Sequence, residues 1–303
     1  MRFNKQSRNR KIAETPCKGA MSITPGFNRG LGQQKMIVAP KGRHNDHFME
    51  RENKINHVED WDSYLTNVDG VIGSIFVDLG LKNIAPVVDK PNVLWVSISM
   101  QNPHDTGLPR DEEINVLFEM EDEVINAITN QHNAIYVGRL TSGGVRQLYF
   151  YLGDITNYET TITQSMSKYP AYKFDFGNKD DKEWKGYFDF LYPLPIQYQV
   201  IMNSRVIRSL EQHGDSLTKE RMVDHWIYFA VENDMKNYIS TIEKHNFKVI
   251  DSYQDEEQIY VLNVGRVDKV DYDSVDEYVL YLWELAEEHN GKYDGWGCGV
   301  EKD

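Results

Sequence analysis

The tightest constraint on the fold lies between residues 200 and 300. There the apolar residues switch repeatedly between the period of a helix and that of a strand. Val200–His213 carries Val206, Ile207 and Leu210 on one helical face and is stopped by Gly214. Val223–Phe229 (VDHWIYF) reads as a strand and Glu232–His245 as a helix. Phe247–Tyr253 and Gln258–Val264 read as strands around the acidic turn Asp255-Glu256-Glu257. Ser274–His289 is a helix with the stripe Val275, Val279, Leu282 and Ala286, opened by Asp273 as N-cap or by Ser274 and Glu277 as a capping box. A last strand spans Tyr293–Val300. After its leading helix this order is β-α-β-β-α-β, which predicts a ferredoxin-like sandwich.

The residues before it predict a separate domain. Val71–Leu81 and Val93–Met100 are rich in β-branched and aromatic residues and read as strands. A long helix opens at Asp111 and runs to about Gln131. Its apolar face holds Ile114, Leu117, Phe118, Val124, Ile125 and Ile128, with Glu121 as the polar exception. Ala134–Leu140 and Val145–Leu152 flank the hairpin signal Thr141-Ser142-Gly143-Gly144. A helix over 158–168 and a strand over 172–176 complete a ββαββαβ order, and the proline-punctuated FDFLYPLP (188–195) marks the domain edge. The expectation is an α+β protein of two domains, 49–195 and 196–303, behind a disordered basic arm over residues 1–48.

Charge separates these parts. Residues 1–48 hold 10 Lys/Arg against 2 Asp/Glu, while 49–194 and 195–303 each carry a net −11 within a chain of net charge −14. Nucleic-acid affinity rests mainly on neutralising phosphates, so neither domain is expected to bind nucleic acid directly. An acidic surface suits a basic protein surface, where charge acts on encounter rate and partner choice; a solvated face with no partner is the plainer reading. The absence of a long apolar run argues against a membrane span. Two cysteines at opposite ends of the chain, Cys17 and Cys298, and no apolar leader point to the cytoplasm, with neither a disulfide framework nor a zinc pair.

Few residues invite chemistry. None of the nine histidines sits in HExxH, and no phosphate loop or nucleophile elbow occurs. No catalytic residue, metal or cofactor is therefore expected. His225 follows Asp224 on a strand, so the two face opposite ways and form no dyad through adjacency. Arg139 and Arg146 lie across the hairpin, where two guanidiniums could clamp an anion, although pairing with acidic neighbours explains them more simply. The distinctive phrase is Ala286–Gly297, AEEHNGKYDGWG, in which lysine, aspartate and glycines surround two large aromatics. Tyr293 and Trp296 are three positions apart, so on a regular strand they face opposite sides. The alternative is a bulge permitted by Gly295 and Gly297, with Trp296 anchored against the last helix. Asp224, His225, Trp226, Tyr293, Asp294 and Trp296 are the candidate partner-binding residues, with the rings supplying buried contact.

Two segments resemble known families. EQHGDSLTKERMVDHWIYF (211–229) and AEEHNGKYDGWG (286–297) are similar to the regulator of ribonuclease E activity B family. That resemblance implies a small α/β domain that binds a ribonuclease and lowers its activity without catalysis of its own. EDWDSYL, SIFVDLGL, YVGRLTSGGVRQLYFYLGD and FDFLYP, within about residues 60–193, resemble domain of unknown function 695, which supplies no activity. The expected function is non-catalytic regulation of a ribonuclease with a basic surface. A general protein-interaction module, or an enzyme acting on an anionic substrate through Arg139 and Arg146, are the alternatives.

Overall fold

The computed structural model describes residues 36–38 and 57–302. Two antiparallel sheets form, each with its own helices, in agreement with two α+β domains. The arm expected over 1–48 lies outside the described residues, apart from the short strand β1 (Met36–Val38).

The first sheet holds six strands: β2 (Trp61–Val68), β3 (Val71–Asp78), β4 (Asn92–Ser99), β5 (Ile135–Ser142), β6 (Val145–Leu152) and β7 (Phe174–Asp180). Their order across the sheet is β2-β3-β5-β6-β4-β7. β2 is absent from the ββαββαβ order read in the sequence. Its polar WDSYLTNV alternates only weakly and sits at the sheet edge, where one neighbour suffices. Helices α1 (Asp111–His132) and α2 (Tyr158–Met166) pack on one face through Leu117, Met120, Val124, Ile128 and Ile162, all fully buried against Leu94, Val96, Leu148 and Phe150. Side chains of this kind contribute about 1.5–3 kcal/mol each when taken out of water.

The domain edge is not a plain linker. A π-helical turn at Gly186–Leu191 buries Tyr187 and Leu191, and α3 then runs Pro195–Gln212, five residues earlier than the apolar stripe alone indicates. Proline at the helix start explains the difference: its fixed φ suits the first turn, where an N–H has no partner to lose. α3 belongs to both halves. Its Arg205 donates from Nε to Asp62 Oδ2 and from Nη2 to Asp60 Oδ1, each at 2.7 Å, and Arg208 Nη2 reaches Asp62 Oδ2 at 2.8 Å. On its other side α3 packs along the last helix of the chain.

The second sheet contains β8 (Arg221–Phe229), β9 (Lys248–Gln254), β10 (Tyr260–Asp268) and β11 (Gly291–Gly299), with α4 (Glu232–Ile242) and α5 (Tyr272–Glu288) on one side. The strand order is β1-β11-β8-β10-β9, and every neighbouring pair is antiparallel. The α5 cap is Asp271, whose carboxylate accepts from the Ser274 N–H at 2.9 Å, so the cap lies two residues before the expected Asp273. The core under this sheet gathers Val223, Ile227, Phe229, Tyr238, Leu262, Val264, Val279 and Leu282.

Candidate functional site

β8 alternates strictly, with Arg221, Val223, His225, Ile227 and Phe229 turned into the core. Met222, Asp224, Trp226 and Tyr228 therefore lie on the sheet's other face. The register sets Val267, Asn263 and Val261 of β10 opposite Met222, Trp226 and Tyr228, and Asp251 and Tyr253 of β9 beside Asn263 and Val261. Ile250 joins this face at the β9–β10 irregularity, close to where a side chain on Gly265 would stand. Met222, Ile250, Tyr253 and Val267 are 45%, 53%, 56% and 55% exposed. Burial raises the Asp224 carboxyl above the usual carboxylate range, and the side-chain oxygen of Asn263 has no hydrogen-bond partner among the described residues. Apolar side chains and carboxylates thus share one open surface.

The YDGWG segment forms the rim of that surface and part of the interior beneath it. The β11–β8 register shifts between Tyr293 and Gly295, and Gly295 has φ +157°, a backbone angle that favours glycine. The bulge resets the strand's alternation, so Tyr293 and Trp296 both turn inward, 6% and 2% exposed. Of the two readings of this pair, opposite faces hold only for an unbroken strand, and the bulge at Gly295 is the one found. His225 is likewise buried, with Nδ1 2.8 Å from the Tyr293 hydroxyl and its ring between Phe247 and Tyr278. Burial, reinforced by the nearby Arg266 guanidinium, pushes its pKa down to about 3, so the ring is neutral. Trp296 Nε1 donates to Asn203 Oδ1 of α3 at 3.1 Å, and Asn203 Nδ2 donates to Asp276 of α5 at 2.8 Å. These three rings hold the domain together. Asp294 alone of the motif's large side chains is exposed, and it accepts from the Tyr228 hydroxyl at 2.9 Å. Of the six candidate residues, Asp224, Trp226 and Asp294 reach the surface and His225, Tyr293 and Trp296 do not.

The Gly-Asp turn after α3 has a structural role as well. Gly214, at φ +85°, ends the helix, and Asp215 accepts from the Leu217 and Glu301 amides while pairing with Arg221. Arg221 also donates to the Gly299 carbonyl, fastening the end of β11.

Beside the bulge a cleft of about 430 Å3 opens between the end of the first domain, α3, α5 and β11. Tyr192, Tyr198, Trp283 and Trp296 line it, together with Lys82 and Lys292. The Tyr192 and Tyr198 rings stack at 6.5 Å and 19°, and Lys82 Nζ lies 5.2 Å from the Tyr192 ring centre.

Arg139 and Arg146 do meet across their hairpin, but the anion between them belongs to the chain. Glu121 accepts from Arg139 Nη1 at 2.6 Å, from Arg146 Nη1 at 2.9 Å and from the Tyr136 hydroxyl at 3.0 Å. The polar exception on the α1 stripe is thereby accounted for. Phe118 covers both guanidiniums, 5.4 and 4.9 Å from its ring centre, and burial lowers the Arg146 pKa. Of the two readings of these arginines, the simpler one, pairing with an acidic neighbour, is what the structure shows, and Glu121 fills the place the candidate anion would take.

Sequence reasoning missed Met222, Ile250, Tyr253 and Val267, as well as the cleft. Alternation along β8 could have added Met222 to Trp226. The others depend on strand register and helix placement, which no local pattern carries. Among the described residues no group of His, Cys, Asp and Glu could hold a metal ion, and no helix is long and apolar enough to cross a membrane.

Comparison with known proteins agrees with both resemblances. Residues 59–192 match the family described as "Family of unknown function (DUF695)", and residues 200–298 match "Regulator of ribonuclease activity B". No curated protein matches the chain. Among solved structures, an unknown protein from Galdieria sulphuraria is 9% identical with a TM-score of 0.20, covering 69% of this chain and 99% of its own. A putative glycine cleavage system transcriptional repressor is 8% identical with a TM-score of 0.20, covering 68% of this chain and 96% of its own.

Proposed function

We propose that this chain is a non-catalytic regulator of a ribonuclease of RNA decay, which it binds and inhibits through the open face of a ferredoxin-like C-terminal domain. The match of residues 200–298 to a ribonuclease-regulator family is the observation that carries this reading. The β-α-β-β-α-β order and the strand order β11-β8-β10-β9 support the ferredoxin-like description. The surface chemistry supports direct binding. Exposed apolar side chains gathered on one face mark contact sites, and Asp224, Asp251 and Asp294 favour a partner rich in Arg and Lys.

The test is an RNA-cleavage assay with the purified endoribonuclease of the same cell, into which the full chain is titrated. Cleavage is expected to slow with added protein, and Ile250→Lys/Tyr253→Lys, which places positive charge on the exposed face without touching the core, is expected to relieve the inhibition. The inhibition should also weaken as salt rises, because exposed charges are screened beyond about 8–10 Å at physiological ionic strength. Unchanged cleavage at saturating protein, or full inhibition by the double variant, would remove the proposal.

A further inference from the structure

We infer that the cleft beside the β11 bulge is a binding site for a nucleoside monophosphate. The site adjoins the rim of the open face at Asp294 but does not depend on the ribonuclease reading. Its walls are aromatic: Tyr192 and Tyr198 form a stacked pair, and Trp283 and Trp296 stand on the α5 and β11 sides. Such walls hold a planar ring by stacking, which tolerates any base because every base has a π face. Tyr192, Tyr198 and Trp283 are only partly buried, so ring surface remains open to a ligand.

The charge at the cleft selects the class of ligand. Lys82 and Lys292 both line it, both side chains are exposed, and among the described residues neither is paired with a carboxylate. Two ammonium groups suit a phosphate monoester, which carries about −1.5 to −2 charge near pH 7, better than a carboxylate carrying one. Asp294 also lines the cleft and offers an acceptor for an amino or hydroxyl group of the ligand. The volume of about 430 Å3 falls within the usual range for a small-molecule site. A longer strand is excluded on electrostatic grounds, since its further phosphates would run over an acidic surface that releases no counterions to them. The site therefore fits one nucleotide and rejects the polymer.

The experiment is a titration of the full chain with 5′-AMP, followed by tryptophan fluorescence and calorimetry. Saturable one-to-one binding is expected, with adenosine weaker by about tenfold or more, because the charge-assisted contacts to phosphate are lost. Lys82→Ala and Lys292→Ala should each weaken 5′-AMP by about fivefold to tenfold while leaving adenosine unchanged. Both side chains are exposed, so the variants should keep the wild-type melting temperature. Lys168→Ala, a surface lysine paired with Glu123, serves as the control and should bind as wild type. No saturation by 5′-AMP in the millimolar range, equal affinity for adenosine and 5′-AMP, tighter binding of a ten-nucleotide single strand, or indifference to both lysine substitutions would each overturn the inference. Because Ile250→Lys/Tyr253→Lys lies on the other surface, it should leave 5′-AMP binding intact, so failure here and failure of the ribonuclease assay are distinguishable.

Discussion

His225 gives the second domain a defined sensitivity to acid. Its side chain is fully buried, and its pKa falls from 6.5 to about 3 on folding. A base whose folded pKa is depressed stabilises the fold above its unfolded pKa, and that contribution is lost as pH falls, because the unfolded chain takes up the proton first. The window therefore opens near pH 6.5 and closes near pH 3. Each pH unit inside it costs about 1.4 kcal/mol. Between pH 7.5 and pH 5.0 the unfolded ring protonates over roughly 1.5 units while the folded ring stays neutral, which makes the loss about 2 kcal/mol. The assay is urea unfolding of the wild type and of His225→Gln at both pH values. Glutamine keeps a group able to hydrogen-bond the Tyr293 hydroxyl but does not titrate. All other ionisable groups are common to both proteins, so their contributions cancel in the comparison. The wild type should lose about 2 kcal/mol more than the variant on acidification. An equal loss in both proteins would refute the assignment of a buried neutral imidazole.

Glu121→Gln should destabilise the first domain by about 3–5 kcal/mol, the usual cost of breaking a buried ion pair, because Arg139 and Arg146 are left facing each other under Phe118; thermal melting checks this, and a change below about 1 kcal/mol would contradict the buried-pair reading. Cys298 is 1% exposed and burial pushes its thiol up to about 11, so iodoacetamide at pH 8 should leave it unmodified in the folded protein and label it in urea, as peptide mapping would show.

The parts of the fold legible in the sequence are those written in local periodicity. Helix α1 emerges at almost its true bounds because its stripe repeats over 22 residues. The β-α-β-β-α-β order of the second domain emerges because each element has a clear period and a turn at its end. β2 stayed hidden because an edge strand buries too little to need a strong pattern, and the start of α3 because its first turn lies ahead of the apolar stripe. The candidate site was legible by composition but not by orientation. Trp226 and Asp294 were found on the surface, whereas one extra residue in β11 reversed the face of everything after Tyr293. Glu121 shows the reverse case: a polar residue on an apolar stripe announced a buried partner, and two arginines 18 and 25 positions away in sequence were waiting for it.

The shared helix α3 has a consequence for any attempt to divide the molecule. A fragment beginning at Pro195 would keep Arg205 but lose Asp60 and Asp62, its counter-ions. A fragment ending at Tyr192 would strand Asp62, 7% exposed, with neither guanidinium to neutralise it. The two sequence families meet at this helix, yet the physical unit does not break there. Among the described residues, the piece from His57, which reaches Asp78, to Glu301, whose amide closes on Asp215, keeps the counter-ions of Asp62 and Asp215 together.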